Sequence, residues 1–433
     1  MNVYCFIARN TSKFNDSKFA GFIVRIATIS VALSVMVMII ATSLVNGFQS
    51  AIKDKVFAFW SHIQVRPFEL TYNLSERPIY AYPDFYKNKL FDKVKHVQWS
   101  ASKGALIQST NSFEGVLLRG VGPDYMQERF LPFITKGKFV SVADTTIQPL
   151  LLSEVMASRL MVDVGDDVVI SFMDYPIRMK KLKVCGLYSS GLEEYDQKIA
   201  FANLSLIQQM NRWGADSVGM FELILDSKNL YPPRWKTYAW VLFGRMLGPQ
   251  ASEYLSEEPV DVVANEVFSK VKDPGLDVLS IKDLEPGIFD WLYLQNMNEI
   301  IILLIMFCVI IVNLSTSLLI LIVDRSNMIA VLKTLGTSNR NVRKIFLSQA
   351  AIILVKGIAL GNVLGLGLCL VQDTFKIIKL DPQSYYINYA PAKPDLVWIM
   401  VINACIVIFS LLCLIIPSSF VSSVQPARLY RFK

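Results

Sequence analysis

The chain has 433 residues, 53% hydrophobic and 18% charged, with formal charge +7 and mean hydropathy +0.40, an apolar excess that argues against an ordinary water-soluble globular protein. The charge is uneven: positions 47–298 carry 27 Lys+Arg against 30 Asp+Glu, so the positive excess lies outside that stretch. No phosphate loop, H-E-x-x-H pattern or G-x-S-x-G elbow occurs and the only histidines are His62 and His96, which leaves ATP hydrolysis, zinc chemistry and serine hydrolysis without a motif.

In chain order, Val3, Phe6, Ile7, Asn10 and Phe14 recur at helical spacing between Arg9, Lys13 and Lys18, predicting a short amphipathic helix on the inner membrane surface over 1–20. A first span is predicted over 21–46, long enough for a hydrocarbon core of about 30 Å. Its apolar run is too long for a signal peptide, and Val45–Phe48 lacks a small-x-small cleavage site. Gln49 to Phe59 keeps helical character, so the helix is expected to project beyond the membrane.

Positions 47–298 are polar enough to fold in water and long enough for their own core. Strands are predicted at Ser61–Pro67, Gly115–Gly120, Leu150–Leu152, Val168–Phe172, Met179–Tyr188, Phe221–Leu225 and Leu276–Ile281, with helices at Pro83–Phe91, Glu154–Leu160 and Val262–Val271. Pro232-Pro233 marks a break, and Asp163–Asp167 reads as a charged turn rather than a cation loop. This makes an α+β domain with an inserted β-rich half at about 133–226. Glu193, Glu194 and Asp196 read as a solvated turn. Cys185 is the single cysteine expected outside the cytoplasm and the spans, as a small buried hydrophobe rather than half of a disulfide.

The second span is predicted over 299–323; its Asn313, Ser315, Thr316 and Ser317 are expected to bond a neighbouring helix rather than a substrate. In the following segment, 324–344, Met328, Val331, Leu332 and Leu335 make one apolar face of a short helix stopped by Gly336. Periodicity leaves two uses open for it, lying on the membrane or docking into a partner. The third span, 345–372, carries Gly357, Gly361 and Gly365, a stripe for close helix packing, within the chain or across a dimer. Its Lys356 reads equally as a snorkelling side chain or a polar contact inside the bundle. A loop at 373–395, a fourth span at 396–420 and a tail at 421–433 complete the chain. The fold class is therefore a membrane protein of four transmembrane α-helices with a large α+β extracytoplasmic domain between the first and second.

Sidedness follows from charge. Arg9, Lys13, Lys18 and Arg25 precede or open the first span; Arg325, Lys333, Arg340, Arg343 and Lys344 lie between the second and third; Arg428, Arg431 and Lys433 end the chain. Basic flanks stay in the cytoplasm, which puts 47–298 and 373–395 outside. Membrane orientation accounts for these basic segments, with no nucleic-acid motif beside them.

One span, an outer domain and three further spans resemble the plan of the MacB/FtsX-type permeases of ABC transporters, and within them the LolC/LolE permeases of the lipoprotein-releasing system. The matching residues are Ile7-Ala8-Arg9, Asn46-Gly47-Phe48, Gly115–Pro123, Gly165-Asp166, Gly191–Ala200 with Leu204–Met210, Asp324–Gly336, Phe346–Gln349 and the glycine stripe. The resemblance implies a permease that is not an enzyme and binds no cofactor, ATP and magnesium being held by a cytoplasmic ABC ATPase dimer. It implies a second permease subunit, identical or different, a lipoprotein cargo drawn from the outer leaflet of a bacterial inner membrane, and contact with membrane lipid. It assigns ATPase coupling to Met328, Ile329, Val331, Leu332, Leu335 and Gly336. It also favours an acyl-chain cavity over bulk-lipid contact for two apolar faces at helical spacing: Val37, Ala41, Leu44, Val45 and Phe48 on the first span, and Ile300, Leu304 and Phe307 on the second. A periplasmic lipoprotein chaperone would receive the cargo. The family's chaperone-recruiting member carries an extended hook loop where Met173–Arg178 here is a tight hairpin, which leaves recruitment by this chain open. Two other functions share the plan: an FtsX-type regulator of periplasmic cell-wall hydrolases, and a MacB-type efflux permease. FtsX-like proteins usually have a smaller outer domain, and MacB fuses its ATPase to the permease.

Overall fold

The computed structural model describes residues 18–68, 77–83, 86, 92–110, 112–140, 148–172, 176–226, 236, 238–239, 258–271, 273–381 and 385–420. Residues 1–17 of the predicted helix over 1–20, most of the predicted helix Pro83–Phe91, the Pro232-Pro233 break and the tail 421–433 lie outside the described residues.

The elements are α1 (Lys18–Trp60), β1 (Ile63–Pro67), β2 (Ile79–Tyr80), β3 (Val94–Gln108), β4 (Phe113–Val121), β5 (Ile134–Gly137), β6 (Pro149–Ser153), α2 (Glu154–Leu160), β7 (Asp167–Phe172), β8 (Arg178–Tyr188), α3 (Glu193–Asp196), β9 (Ile199–Asn203), α4 (Leu204–Asn211), β10 (Ser217–Val218), β11 (Met220–Leu225), α5 (Pro259–Val271), β12 (Leu276–Ser280) and α6 (Ile281–Leu284). There follow α7 (Pro286–Asp324), α8 (Ser326–Thr334), α9 (Asn339–Phe375), α10 (Leu396–Cys413) and α11 (Ile415–Ser418). Four helical segments, Gly21–Trp60, Pro286–Asp324, Asn339–Phe375 and Leu396–Ser418, are long and apolar enough to cross a membrane. The first two run to 40 and 39 residues, about twice what a bilayer needs. The chain divides into two units: residues 1–49, 293–378 and 390–433 in one, 50–292 and 379–389 in the other.

The outer unit is built on a ten-stranded sheet in the order β12-β1-β11-β3-β4-β9-β6-β8-β5, with β7 paired to β3 and β8. The β4–β9 and β6–β8 pairs are parallel and the rest antiparallel. Three strands switch to helix by the same device. Ser153, Asn203 and Ser280 cap the helices that follow, each accepting a backbone N–H with its side chain; such a cap satisfies a donor the first helical turn cannot. Helices α2 and α4 stop at Met161 and Arg212, both left-handed.

Three expectations are corrected here. The 15-residue strand β3, near the middle of the sheet, has no counterpart among the predicted elements; Gln98, Ser100, Ser102 and Lys103 are buried along it and hide its apolar alternation. The predicted inserted half at 133–226 is not a sheet of its own: β11 pairs with β1 and β3, β7 with β3, and β9 with β4, so one sheet runs across its boundaries. Asp196 is not solvated: it is 4% exposed and accepts from the Ser190 N–H, the Ser190 hydroxyl and the Gly191 N–H, while Glu193 and Glu194 are exposed. Asp163–Asp167 is a turn, with the Asp166 N–H donating to the Asp163 carbonyl at 3.1 Å and Gly165 at φ +100°. Phe172 pairs with Arg178, which bounds the connection at 173–177, of which 173–175 lie outside the described residues.

In the membrane unit the core joins Ala27, Val31, Val35 and Ile39 of α1 to Ile310, Leu314 and Leu318 of α7, Phe346, Ile353 and Leu354 of α9, and Ile399, Ile402 and Ile406 of α10. A Cβ on Gly361 would sit 2.7 Å from both the Ala32 carbonyl oxygen and the Val35 Cβ; Gly357 meets Val31 and Gly365 meets Ile39 in the same way. The glycine stripe thus packs within the chain, against α1 running parallel to α9. Lys356 is exposed, beside exposed Val355, Leu360 and Val363, so a polar contact inside this chain's bundle is set aside. The fourth span is interrupted at Leu414.

Candidate functional site

The α1–α7 pair fixes where the predicted lipid-facing residues stand. Asn313 donates to the Ser30 hydroxyl and Gln49 donates to the Asn296 side chain at 2.7 Å, so the two helices run antiparallel in register. At 1.5 Å per residue the bonds lie roughly 27 Å apart along the pair. The same register sets Leu44 level with Ile300, Ala41 with Leu304 and Val37 with Phe307. Exposure divides the set. Ile300 is 5% exposed and Leu304 49%; Leu44 and Phe307 pack against the chain's own core; Val37, Ala41, Val45 and Phe48 are half-buried. The eight residues therefore share a depth but not one outward surface, because three of them already have neighbours inside the bundle. The apolar surface that α7 does leave open includes Ile301, Leu304, Ile305 and Val312. Of the other polar residues on this helix, Thr316 turns back to the carbonyls of Val312 and Asn313.

Helix α8 ends in a closed turn. The Gly336 N–H donates to the Lys333 carbonyl and the Thr337 N–H to the Leu332 carbonyl, both at 3.0 Å, with Gly336 at φ +87°, a conformation that favours glycine. Ile329 and Ala330 are buried and Met328 packs against the bundle core. Val331 and Leu335 face outward, 48% and 77% exposed, and Leu332 is half-buried. Of the six residues assigned to coupling, Ile329 thus stabilises the bundle and the Val331–Leu335 edge is left open.

In the outer unit the end of α1 is a plug. Phe59 is fully buried among Phe130, Phe133, Tyr188, Tyr195 and Phe201, with ring centroids 4.9–6.5 Å away. The helix stops at Ser61, which is left-handed at φ 60°, and the Ser61 hydroxyl donates to Glu222 at 3.2 Å. Glu222 also accepts from Gln98 at 2.7 Å, Ser100 at 2.7 Å and the Arg119 guanidinium. Arg119 is fully buried and stacks 4.8 Å from the Trp60 ring. One turn earlier, the Lys55 ammonium donates to the carbonyls of Ser190 and Tyr386, tying α1 to the Gly191–Ala200 segment and to the connection between the third and fourth spans.

Titration behaviour here follows from burial. The Asp124 carboxyl, which accepts the Trp99 N–H at 3.0 Å, is pushed up to about 7 by burial, with a smaller repulsion from Glu222. Tyr125 is raised to about 12 by burial. His62 is held neutral by burial and by the Arg129 charge, and its Nδ1 accepts the Leu225 N–H at 3.0 Å, so it is a core residue. The Cys185 thiol is free and raised to about 11 by burial. Among the described residues no three His, Cys, Asp or Glu side chains are grouped to hold a metal ion. Sequence reasoning missed Arg119, Glu222 and Lys55, although Arg119 and Ser190–Asp196 sit in or beside the Gly115–Pro123 and Gly191–Ala200 stretches.

Comparison with known proteins gives two domain matches. Residues 26–227 match the MacB-like periplasmic core domain and residues 300–426 the FtsX-like permease C-terminal family. Over nearly its whole length the chain is similar to lipoprotein-releasing system transmembrane proteins. It is 25% identical to LolC of Xylella fastidiosa, covering 96% of this chain and 95% of that one. It is 23% identical to LolC of Neisseria meningitidis, with the same coverage, and 20% identical to LolE of Haemophilus influenzae, covering 94% of each.

Proposed function

From the premise that this chain is an inner-membrane permease of the MacB/FtsX-like superfamily, of the LolC/LolE type, we propose that it draws lipoproteins out of the inner membrane's outer leaflet for transfer to the outer membrane. The observation that carries this reading is colinearity: a span, a MacB-like core and an FtsX-like permease domain in the same order, matching 95% of the length of LolC of Xylella fastidiosa. The chain itself is a non-catalytic membrane subunit.

ATP, with its magnesium, is bound by a separate cytoplasmic ATPase pair beneath two permease subunits. The open Val331–Leu335 edge of α8 docks into a groove of that ATPase, as an amphipathic helix with one free apolar edge can. Acyl chains shelter against the α1–α7 seam, with Leu304 and the half-buried Val37, Ala41, Val45 and Phe48 as the residues open enough to touch them. The second permease subunit supplies the opposite wall. Closure driven by ATP expels the chains, and the outer unit, seated on α1 through Phe59 and Lys55, takes up the movement.

The test is a release assay in proteoliposomes that contain this chain, its co-purified ATPase and a triacylated lipoprotein. Release that depends on ATP is expected. Leu335→Asp places a charge on the docking edge, a position that is 77% exposed, and is expected to uncouple hydrolysis from release while the chain still folds. Release unchanged by Leu335→Asp would return α8 to the membrane surface. ATP-dependent movement of the outer unit without lipoprotein release would favour a hydrolase regulator instead.

A further inference from the structure

The outer unit holds a cavity of about 260 Å³ lined by Leu192, Glu194, Tyr195, Glu285, Trp291 and Tyr386 among others. Three stretches distant in sequence form it: the turn into α3, the start of α7, and the connection between α9 and α10. The Trp291 and Tyr386 rings meet edge to face, 5.7 Å apart at 85°. Two carboxylates line the same space. Glu285 is raised by burial and, to a smaller degree, by the Glu194 charge, against the lowering effects of the adjacent Tyr195 hydroxyl and of the Lys198 charge. Tyr195 is 5% exposed. Its hydroxyl lies beside the Glu285 carboxylate and the Trp60 indole yet completes a well-formed hydrogen bond with neither. The Lys55 ammonium is committed to the carbonyls of Ser190 and Tyr386, and no Lys or Arg is among the described residues that line the cavity. What remains is an open space with two aromatic rings, two carboxylates and an unsatisfied buried hydroxyl.

That chemistry selects a cation. An ammonium gains from the faces of Trp and Tyr as well as from carboxylates, and a second acidic side chain that is raised by a like charge is relieved when a cation enters. We propose that this cavity binds the ammonium end of a zwitterionic phospholipid headgroup from the outer leaflet. The lipid source follows from chain connectivity. Trp291 lies nine residues before Ile300 in the helix that becomes the second span, and Tyr386 lies ten residues before Leu396, where the fourth begins. Trp and Tyr concentrate at the headgroup level of membranes. The site goes beyond lipoprotein release, since it concerns a resident lipid and is independent of the cargo.

The experiment uses the full chain in detergent, titrated by calorimetry with short-chain phosphatidylethanolamine, short-chain phosphatidylglycerol and free phosphoethanolamine. Phosphatidylethanolamine is expected to bind about tenfold tighter than phosphatidylglycerol, the factor that one cation–aromatic contact of about 1.4 kcal/mol provides. Glu194→Gln, at an exposed position where folding is not at stake, is expected to lower that preference severalfold, and Trp291→Leu to lower it further. Equal binding of the two lipids, or a preference that both variants leave intact, would overturn the site. Free phosphoethanolamine binding as tightly as the lipid would overturn the membrane as its source. Neither outcome bears on lipoprotein release, which is read by the separate ATP-dependent assay.

Discussion

Where α9 packs on α1, Gly357, Gly361 and Gly365 stand against Val31, Val35 and Ile39 with no room for a side chain; where α1 ends in the outer unit, Glu222 stands among Arg119, Gln98, Ser100 and Ser61. The first contact is made by leaving atoms out and the second by burying charge. In lipid there is no hydrophobic drive to join apolar helices, so close backbone approach and dispersion supply the attraction. In water the apolar sheet collapses without help, and a buried ion pair there adds a constraint on which strands lie together rather than net stability. The glycine contact selects α1 as the neighbour of α9, and the ion pair selects β11 and β4 as the strands beneath the plug.

The largest expected effect breaks the first contact. Gly361→Leu drives a branched side chain into the Ala32 carbonyl and Val35, and overpacking that must move backbone exceeds the roughly 1–3 kcal/mol seen where side chains alone can shift. Loss of the folded chain from membranes is expected at unchanged synthesis. Gly367→Leu is the internal control, since a Cβ there meets nothing within 4 Å. Similar yields of the two variants, measured by detergent extraction and size-exclusion profile, would remove the stripe from the account.

Next in size is the second contact. Glu222→Ala leaves the Arg119 charge buried without its partner, which costs about 3–5 kcal/mol, and a loss of that order is expected in the unfolding midpoint of the full chain. Removing both charges as Glu222→Leu with Arg119→Met is expected to cost less than Glu222→Ala alone. A double variant as unstable as the single one would mean that Arg119 acts through its stacking on Trp60 rather than through the ion pair.

These two contacts were not equally legible in the sequence. The glycine stripe is visible as three glycines four apart in an apolar run, and the four spans, the basic flanks and the strand-to-helix switch at Ser153 were readable by length, charge and period. The partner of the stripe was not, because nothing on α1 distinguishes Val35 from any other valine. The strand β3 was missed because Gln98 and Ser100 are inward-facing polar residues that donate to Glu222, with Ser102 buried further along, and hydropathy reads all three as solvent-exposed. The outward faces of α1 and α7 were chosen by spacing alone, and spacing cannot tell Ile300, which the bundle buries, from Leu304, which it leaves open. Asp196 was misread for a related reason, since its ligands Ser190 and Gly191 belong to the same turn but only the folded chain shows it turned inward.

A pH dependence sharpens the outer-unit half of the comparison. Asp124 in the folded chain is pushed up to about 7, against an unfolded carboxyl near 3.9. The folded state therefore binds the proton more tightly, and stability from this group is greatest below about pH 4 and declines as pH rises through 4 to 7. At about 1.4 kcal/mol per unit the decline is at most on the order of 4 kcal/mol. Asp124→Asn keeps an oxygen for the Trp99 N–H and is expected to flatten the slope in that window. Urea midpoints of the full chain between pH 4 and 8 would show it, and an unchanged slope would assign the titration to another group.

The smallest expected effect lies back in the membrane, where polar bonds might be supposed strong. Asn403 donates to the Asn362 side chain at 3.0 Å, between α10 and α9, while the Asn362 amide donates to the Ile358 carbonyl at 2.8 Å in its own helix. The Asn403 oxygen is buried with no partner. Asn403→Leu therefore removes one bond and one orphaned acceptor together, and leaves the Asn362 oxygen unpaired in exchange. Interhelical bonds of this kind average only about 0.6 kcal/mol in membranes, because the separated helices find other partners. A change within about 1 kcal/mol in either direction is expected for Asn403→Leu, and a smaller one for Asn403→Leu with Asn362→Leu, where no acceptor is stranded. Steric-trap or thermal unfolding in bicelles can read differences of this size against Glu222→Ala in the same preparation. A loss near that of Glu222→Ala would mean that the α9–α10 contact is held by polarity after all, and that the membrane unit has an ionless version of the outer unit's buried network.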